Sequence, residues 1–86
     1  MKECQIETIQ EIKLFEKRII EISKELEFEI IWFYNKAEFW IKENGKEVMV
    51  GIASLKDKKI YAKNKACLIY FPLHYFQNGI KLLEVG

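Results

Sequence analysis

The pattern that most constrains this chain is a regular alternation of apolar and polar side chains over residues 28–54, interrupted by two turn sequences. The turns are Asn35-Lys36 and Asn44-Gly45, and Asn-Gly is the strongest short signal for a two-residue hairpin loop. Alternation with a period of two is typical of strands that have two different faces. The segment is therefore predicted to form three antiparallel strands joined as a meander.

Two-residue loops also predict which side chains of the meander lie opposite one another. One face is expected to be almost purely apolar, with the pairs Tyr34 and Ala37, Trp32 and Phe39, Ile30 and Ile41, Ile41 and Val48, Phe39 and Val50, and Ala37 and Ile52. This first face is the predicted core side of the sheet. On the second face, Glu29, Lys42 and Glu47 are expected to lie opposite one another as a charge ladder.

The second face also carries a small apolar cluster that consists of Ile31, Phe33, Trp40 and Met49. A sheet face that meets only water is normally polar, so these side chains predict a cover. An apolar, aromatic centre inside a charged rim is typical of a protein interface, which predicts a larger partner protein or a second copy of the chain. The alternative cover is the set of C-terminal apolar residues Leu73, Tyr75, Phe76, Ile80, Leu82 and Leu83.

Residues 4–27 contain neither Gly nor Pro and carry apolar side chains at spacings of three and four. The apolar stripe consists of Ile9, Ile12, Phe15, Ile19, Ile22 and Leu26. Such spacing places the side chains on one side of a helix, and 3.6 residues per turn gives a helix of about six turns. This helix is predicted to lie across the apolar face of the sheet.

The pattern after Ser54 is compatible with two structures. Residues 60–71 form either a hairpin about Asn64-Lys65 or a helix started by Asp57. The hairpin is the preferred interpretation, because the second half of the segment is rich in strand-forming residues.

Pro72 ends either element and is expected to begin a short helix over residues 73–77, followed by a closing strand or tail over residues 80–85. Together the elements predict an α+β fold, with a long N-terminal helix packed on an antiparallel meander of three to five strands and a short C-terminal helix. The chain has 86 residues, of which 50% are hydrophobic, and this is enough for one core but not two. Residues 1–86 are therefore predicted to be a single domain.

The start of the sequence and its cysteines predict where the protein resides. The N-terminus lacks the apolar stretch of a signal peptide, and the longest apolar runs are far shorter than a membrane span. Cys4 and Cys67 are too few for a disulfide framework, so both are expected to be reduced thiols packed as small hydrophobes. These features predict a cytoplasmic protein with no membrane partner.

The charged side chains nearly cancel, at a net +1, but they are divided unevenly, with −3 on residues 1–29 and +4 on the remainder. The basic excess is concentrated in Lys56, Lys58, Lys59, Lys63 and Lys65. Lysines in this pattern contact nucleic acid or another anion, or else keep a loop soluble. This segment is the candidate nucleic-acid or anion contact.

Residues that carry chemistry are scarce. His74 is the only histidine, which excludes a His pair and a multi-His metal site. No acids are expected to converge as a metal-dependent nuclease requires, and no glycine-rich sequence predicts a phosphate-binding loop. No catalytic residue, metal site or cofactor is therefore predicted.

The function expected from this pattern is binding without catalysis. A small chain of this kind is expected to occupy a surface of a larger protein, as inhibitors, adaptors and phage or mobile-element anti-defence proteins do. The first alternative is a nucleic-acid-binding domain that uses the basic segment from Lys56 to Lys65. The second alternative is a small-ligand binder or small enzyme assembled in an oligomer.

Overall fold

The computed structural model describes residues 2–72, 74, 76 and 79–83, with the backbone alone for residues 2–8. Its elements, in chain order, are helix α1 (Lys2–Leu26), strands β1 (Glu29–Trp32), β2 (Lys36–Glu43), β3 (Lys46–Ser54) and β4 (Lys59–Ala62), a 3₁₀ helix (Lys65–Tyr70) and strand β5 (Lys81–Leu82). In this described part of the chain the strands form one five-stranded sheet in sequence order. Strand β5 runs parallel to β4, and all other neighbours are antiparallel. The expected α+β class is confirmed.

Helix α1 ends in a turn that redirects the chain into the sheet. Glu27 has a left-handed backbone with φ of +60°, and the N–H of Phe28 donates to the carbonyl of Ser23 over 2.9 Å. Glycine usually occupies this position of a helix end, because the left-handed conformation costs other residues about 1–2 kcal/mol. The turn directs Phe28 into the core, where its side chain is buried.

Helix α1 packs on the sheet along its C-terminal part. Ile19 and Ile22 are buried, and Phe15 and Leu26 pack partly against the same core. Ile9 belongs to the same stripe, yet 53% of its surface is exposed. The prediction that the whole stripe lies across the sheet is therefore wrong at its N-terminal end.

The hairpin between β2 and β3 confirms the predicted Asn44-Gly45 turn. Asn44 and Gly45 both have positive φ, at 54° and 78°, as a two-residue type I′ loop requires. Ile41 lies opposite Val48, as predicted.

Further along β2 and β3, a β-bulge between Phe39 and Trp40 shifts the register by one residue. Phe39 lies opposite Gly51, and Ala37 lies opposite Ala53. Successive side chains point to opposite sides of a strand. The β3 side chains beyond the extra residue therefore lie on the face opposite to the predicted one. The bulge therefore corrects two predicted pairs, Phe39 with Val50 and Ala37 with Ile52.

The first hairpin has a register two residues away from the predicted one. The N–H of Phe33 donates to the carbonyl of Lys36 over 2.8 Å, so the loop residues are Tyr34 and Asn35 in place of Asn35-Lys36. A shift of two residues keeps every side chain on its face, which is why the alternation does not distinguish the two registers. The observed pairs are Ile30 with Phe39, Trp32 with Ala37, and Glu29 with Trp40. They replace Tyr34 with Ala37, Trp32 with Phe39, and Ile30 with Ile41.

This shift also breaks the predicted charge ladder on the second face. Glu29 lies opposite Trp40 and not Lys42. Lys42 and Glu47 remain opposite each other. The second face is therefore less completely charge-paired than the sequence pattern predicts.

The core on the first face is built around four phenylalanine rings. Phe71 lies 5.3 Å from Phe28, 6.2 Å from Phe39 and 5.8 Å from Phe76, measured between ring centroids. Gly51 makes room for Phe71, because a Cβ atom at this position would lie 2.7 Å from its ring and 2.5 Å from the carbonyl oxygen of Tyr61. The glycine is therefore required by packing, and it lies next to the bulge, opposite Phe39.

Residues 60–71 adopt neither of the two predicted structures. The first part is strand β4, and the second part is the 3₁₀ helix Lys65–Tyr70. Asn64 begins this helix, since its side-chain Oδ1 accepts a hydrogen bond from the N–H of Cys67 over 3.1 Å. The predicted hairpin about Asn64-Lys65 is therefore wrong after Asn64, and the helix does not start at Asp57.

The predicted helix over residues 73–77 lies largely outside the described residues. The closing strand over residues 80–85 is present at Lys81–Leu82. It is held to β4 by a hydrogen bond from the N–H of Leu83 to the carbonyl of Ala62, at 2.8 Å.

Candidate functional site

Four side chains form a connected series of contacts along the second face. The indole Nε1 of Trp40 donates to Glu38 Oε1 over 3.1 Å, and Lys36 Nζ lies 3.5 Å from Glu38 Oε2. The same Lys36 ammonium lies 5.3 Å from the centre of the Phe33 ring, within reach of a cation–π contact. Phe33 and Trp40, both predicted site residues, are therefore linked through one ion pair.

The other two predicted partner-binding residues lie on the same face. Met49 lies opposite Trp40, and both are half-buried. Ile31 is 46% exposed and lies opposite Glu38. The bulge adds Ile52 to this face, also half-buried and opposite Glu38. The structure therefore brings the predicted cluster together on one surface.

The alternative cover for this surface is not formed by the described C-terminal residues. Phe76 packs on Phe71 in the first-face core, and Ile80 packs against the same core. Leu82 and Leu83 are exposed. The prediction that C-terminal residues cover the second face is thus wrong for these four residues. Leu73 and Tyr75 lie outside the described part of the chain.

The most exposed apolar surface lies where β1 ends, and we call its four consecutive residues, Ile31, Trp32, Phe33 and Tyr34, the aromatic edge. The exposed fractions are 46% for Ile31, 43% for Trp32, 45% for Phe33 and 95% for Tyr34. Strand β1 is the outer strand of the sheet in the described structure. A segment with this exposure is accessible from both faces of the sheet.

Trp32 and Tyr34 were missed as site residues, because the predicted register assigned them to the apolar core face. In the observed register Tyr34 belongs to the turn, and Trp32 lies opposite the small residue Ala37 on the neighbouring strand. One sequence signal could have identified them. Successive strand residues point to opposite faces, so three aromatic residues in a row at a strand end cannot all be buried by one helix.

The backbone of β1 also has groups that point away from the sheet. Because Phe33 and Lys36 are hydrogen-bonded partners, the antiparallel alternation makes Ile31 and Glu29 the next bonded positions. The N–H and C=O groups of Ile30 and Trp32 therefore point away from β2. Among the described residues, no backbone hydrogen bond from outside the sheet reaches them.

The five lysines of the predicted anion contact do not all line one cavity. Lys58 contacts the carboxylate of Glu11 in α1. Lys58 and Lys59 line a cavity between α1 and β4, whereas the described cavity lining does not include Lys56, Lys63 and Lys65. Lys63 is half-buried, and Lys56 and Lys65 are exposed.

Groups suited to catalysis or metal binding are sparse in the part of the chain that the structure describes. His74 is exposed, and Cys67 is a buried free thiol, as expected for a small hydrophobe. No cluster of three or more His, Cys, Asp or Glu side chains that could hold a metal occurs among the described residues. Nor does any helix of the described residues have both the length and the apolarity needed to cross a membrane.

Comparisons with protein-family models, with curated proteins and with solved structures gave no match to this chain.

Proposed function

We propose that this chain is a non-catalytic protein-binding domain that covers a surface of a larger protein with its aromatic edge. The observation that carries the proposal is the exposure of four consecutive large apolar side chains, Ile31 to Tyr34, at the end of an outer strand. Trp and Tyr are enriched among the residues that dominate the energy of protein interfaces. The same mode of action would suit an inhibitor, an adaptor or a phage or mobile-element anti-defence protein.

The sequence of β1 supports this use of the edge. Soluble proteins usually protect outer strands with Lys, Pro or a bulge, because unpaired backbone groups invite another strand. Strand β1 contains Glu29 but neither Lys nor Pro, and its register with β2 is continuous. An unprotected outer strand with apolar side chains is suited to strand addition, in which a partner strand pairs with the backbone.

The neighbouring second face would extend the contact. Trp40 and Met49 lie beside each other, and the Lys36–Glu38 ion pair holds Phe33 and Trp40 in position. Side chains that are ordered before binding lose less conformational entropy when a partner covers them. Trp40 and Met49, the two cluster residues outside the aromatic edge, thus form its flank.

The register of β1 also supports a second copy of the chain as the partner that binds this edge. Antiparallel pairing of two β1 strands about a two-fold axis at Ile31 would place Ile31 opposite its symmetry mate and Ile30 opposite Trp32. Glu29 would then meet Phe33, whose ring already carries the Lys36 ammonium. Apolar residues would face apolar residues, and the carboxylate would approach a cation.

Site-specific photo-crosslinking tests the proposal. A benzoyl-phenylalanine at position 33 is expected to crosslink to one protein of defined mass in cells that express this chain. The same group at position 46, exposed on the distant β2–β3 turn, is the matched control. A dimer formed by the purified chain would identify the second copy as the partner.

Two results would contradict the proposal. Crosslinking of equal yield from positions 33 and 46 would show that the aromatic edge is not a preferred contact. Crosslinking from Lys59 to nucleic acid, with none to protein from position 33, would favour the nucleic-acid alternative. Binding of that kind is also expected to fall steeply with salt.

A cytoplasmic location belongs to the same proposal. The free thiol of Cys67 is buried, and unpaired cysteines are the rule in reducing compartments.

A further inference from the structure

A cavity of about 420 Å³ lies between the middle of α1 and the β4–β5 side of the sheet. The cavity lies near the opposite edge of the sheet from the aromatic edge, because β1 and β5 are the two outer strands of the described sheet. Cavities of about 300–1,000 Å³ are typical of sites for small molecules. Its size therefore suits a ligand as large as a mononucleotide.

The inner wall of the cavity is apolar and belongs to the core. Ile60 and Phe76 are buried, and the partly buried Phe15 packs against the same core. Phe76 is further held by its edge-on contact with Phe71. Two aromatic rings and an isoleucine provide a firm surface for a flat apolar group.

The rim of the cavity is basic. Arg18 comes from α1, Lys58 and Lys59 from the segment that enters β4, and Lys81 from β5. Of these, Lys58 contacts the Glu11 carboxylate. Four cationic side chains from three separate segments of the chain thus line one cavity.

Lys59 and Lys81 are close enough to repel each other. The adjacent Lys59 lowers the pKa of Lys81, while the carboxylate of Asp57 opposes this effect. A lowered pKa means that the charged form of Lys81 is disfavoured as long as Lys59 is its neighbour. An anion bound between the two ammonium groups would remove this repulsion.

We propose that this cavity binds a small organic phosphate of nucleotide size, with the phosphate between Lys59 and Lys81 and a flat ring against Phe15 and Phe76. Arg18 supplies a planar group that bonds two phosphate oxygens at once. A dianionic phosphate matches the several cations on the rim better than a single carboxylate does. The flat ring of the ligand would account for the aromatic side chains that line the cavity behind its basic rim.

Titration of the full-length chain with adenosine monophosphate tests this inference, with the backbone amide signals followed by NMR. Amides of Phe76, Gly79 and Lys81 are expected to shift together. The N–H of Leu83, which bonds to Ala62, is expected to exchange more slowly, because the ligand holds β5 against β4. Adenosine and inorganic phosphate, each with half of the contacts, should bind at least about tenfold more weakly.

Three variants separate this site from general attraction to lysines. Lys59→Gln and Lys81→Gln should each weaken binding by at least about tenfold, since each removes a charge-assisted hydrogen bond. Lys46→Gln, which removes an equal charge from the distant β2–β3 turn, should leave binding unchanged. All titrations are made at one ionic strength, because screening alone changes such affinities.

Several outcomes would overturn the inference. An equal loss in all three variants would show diffuse charge attraction in place of a site. Inorganic phosphate binding as tightly as the nucleotide would exclude a role for the apolar wall. No shift at about 10 mM nucleotide, where even a millimolar site is mostly filled, would exclude the site.

Discussion

The indole Nε1 of Trp40 donates a hydrogen bond to Glu38 Oε1 over 3.1 Å, and the second oxygen of that carboxylate lies 3.5 Å from Lys36 Nζ. One glutamate thus joins an aromatic side chain to the cation that sits over Phe33. These contacts order the flank of the aromatic edge before any partner binds. The second face of the sheet is thus part of the proposed contact surface, whereas the first face carries the core.

The helix stripe provides a first prediction with a built-in control. Ile19→Ala should lower the free energy of unfolding by about 2–5 kcal/mol, because a buried isoleucine leaves a cavity. Ile9→Ala on the same stripe should cost less than about 1 kcal/mol, because Ile9 is exposed. Urea unfolding measures both. Equal costs would mean that α1 packs along its whole length.

Gly51 provides a second prediction. Gly51→Ala should destabilise the fold by about 1–3 kcal/mol, because its Cβ would meet the carbonyl of Tyr61 at 2.5 Å. The backbone atom cannot move aside as a flexible side chain could. Chemical unfolding of Gly51→Ala measures the effect. Ala53→Gly, the opposite substitution at another buried position of β3, serves as the comparison. Unchanged stability for Gly51→Ala would contradict the observed register of β3.

A third prediction concerns the end of α1. Glu27→Gly should stabilise the protein by about 0.5–1 kcal/mol, because glycine adopts positive φ without strain but loses more entropy on folding. Glu25→Gly, in the helical part of α1, should instead destabilise by about 1 kcal/mol. Thermal unfolding distinguishes the two. Destabilisation by Glu27→Gly would show that this turn is not left-handed at residue 27.

Tyr70 provides a fourth prediction, on pH. Desolvation of its hydroxyl, together with the hydrogen bond that it donates to Glu43 over 3.2 Å, raises the pKa of Tyr70 above its usual 10.0. The folded state therefore holds this proton more tightly than the unfolded state does. The resulting stability is present below the unfolded pKa of 10.0 and is lost as the pH rises through the folded pKa.

Tyr70→Phe isolates this contribution. The unfolding midpoint of the wild type should fall more steeply than that of Tyr70→Phe above a pH of about 10. All other side chains are the same in both proteins, so their effects cancel in the comparison. Parallel slopes would indicate that the Tyr70–Glu43 contact does not hold in solution.

Local features of the fold could be predicted from the sequence, but its registers could not. The helix α1 and the Asn44-Gly45 turn are encoded by neighbouring residues, and both are confirmed. The β1–β2 register could not be chosen, because a shift of two residues leaves all faces unchanged. The bulge at Phe39 and Trp40 lies beside Gly51, which Phe71 contacts from a distant segment, and local patterning carries no information on such a contact.

The 3₁₀ helix shows the same limit. Residues 67–71 have strand-forming side chains, yet the cap by Asn64 and the burial of Phe71 override this local preference. For the site, alternation correctly grouped the residues of the second face. It missed Trp32 and Tyr34, whose exposure follows from their position at the end of an outer strand.

One double variant, Trp32→Ser with Phe33→Ser, tests whether the aromatic edge is the contact surface, because binding and stability are measured on the same protein. Its binding to the crosslinked partner should weaken by at least about 2 kcal/mol, as for residues that dominate an interface. Its free energy of unfolding should fall by less than about 4 kcal/mol, because nearly half of each side chain is exposed. An unfolding loss of about 6 kcal/mol or more, as for two buried aromatic side chains, would assign them to the core, and unchanged binding would exclude the aromatic edge as the contact surface.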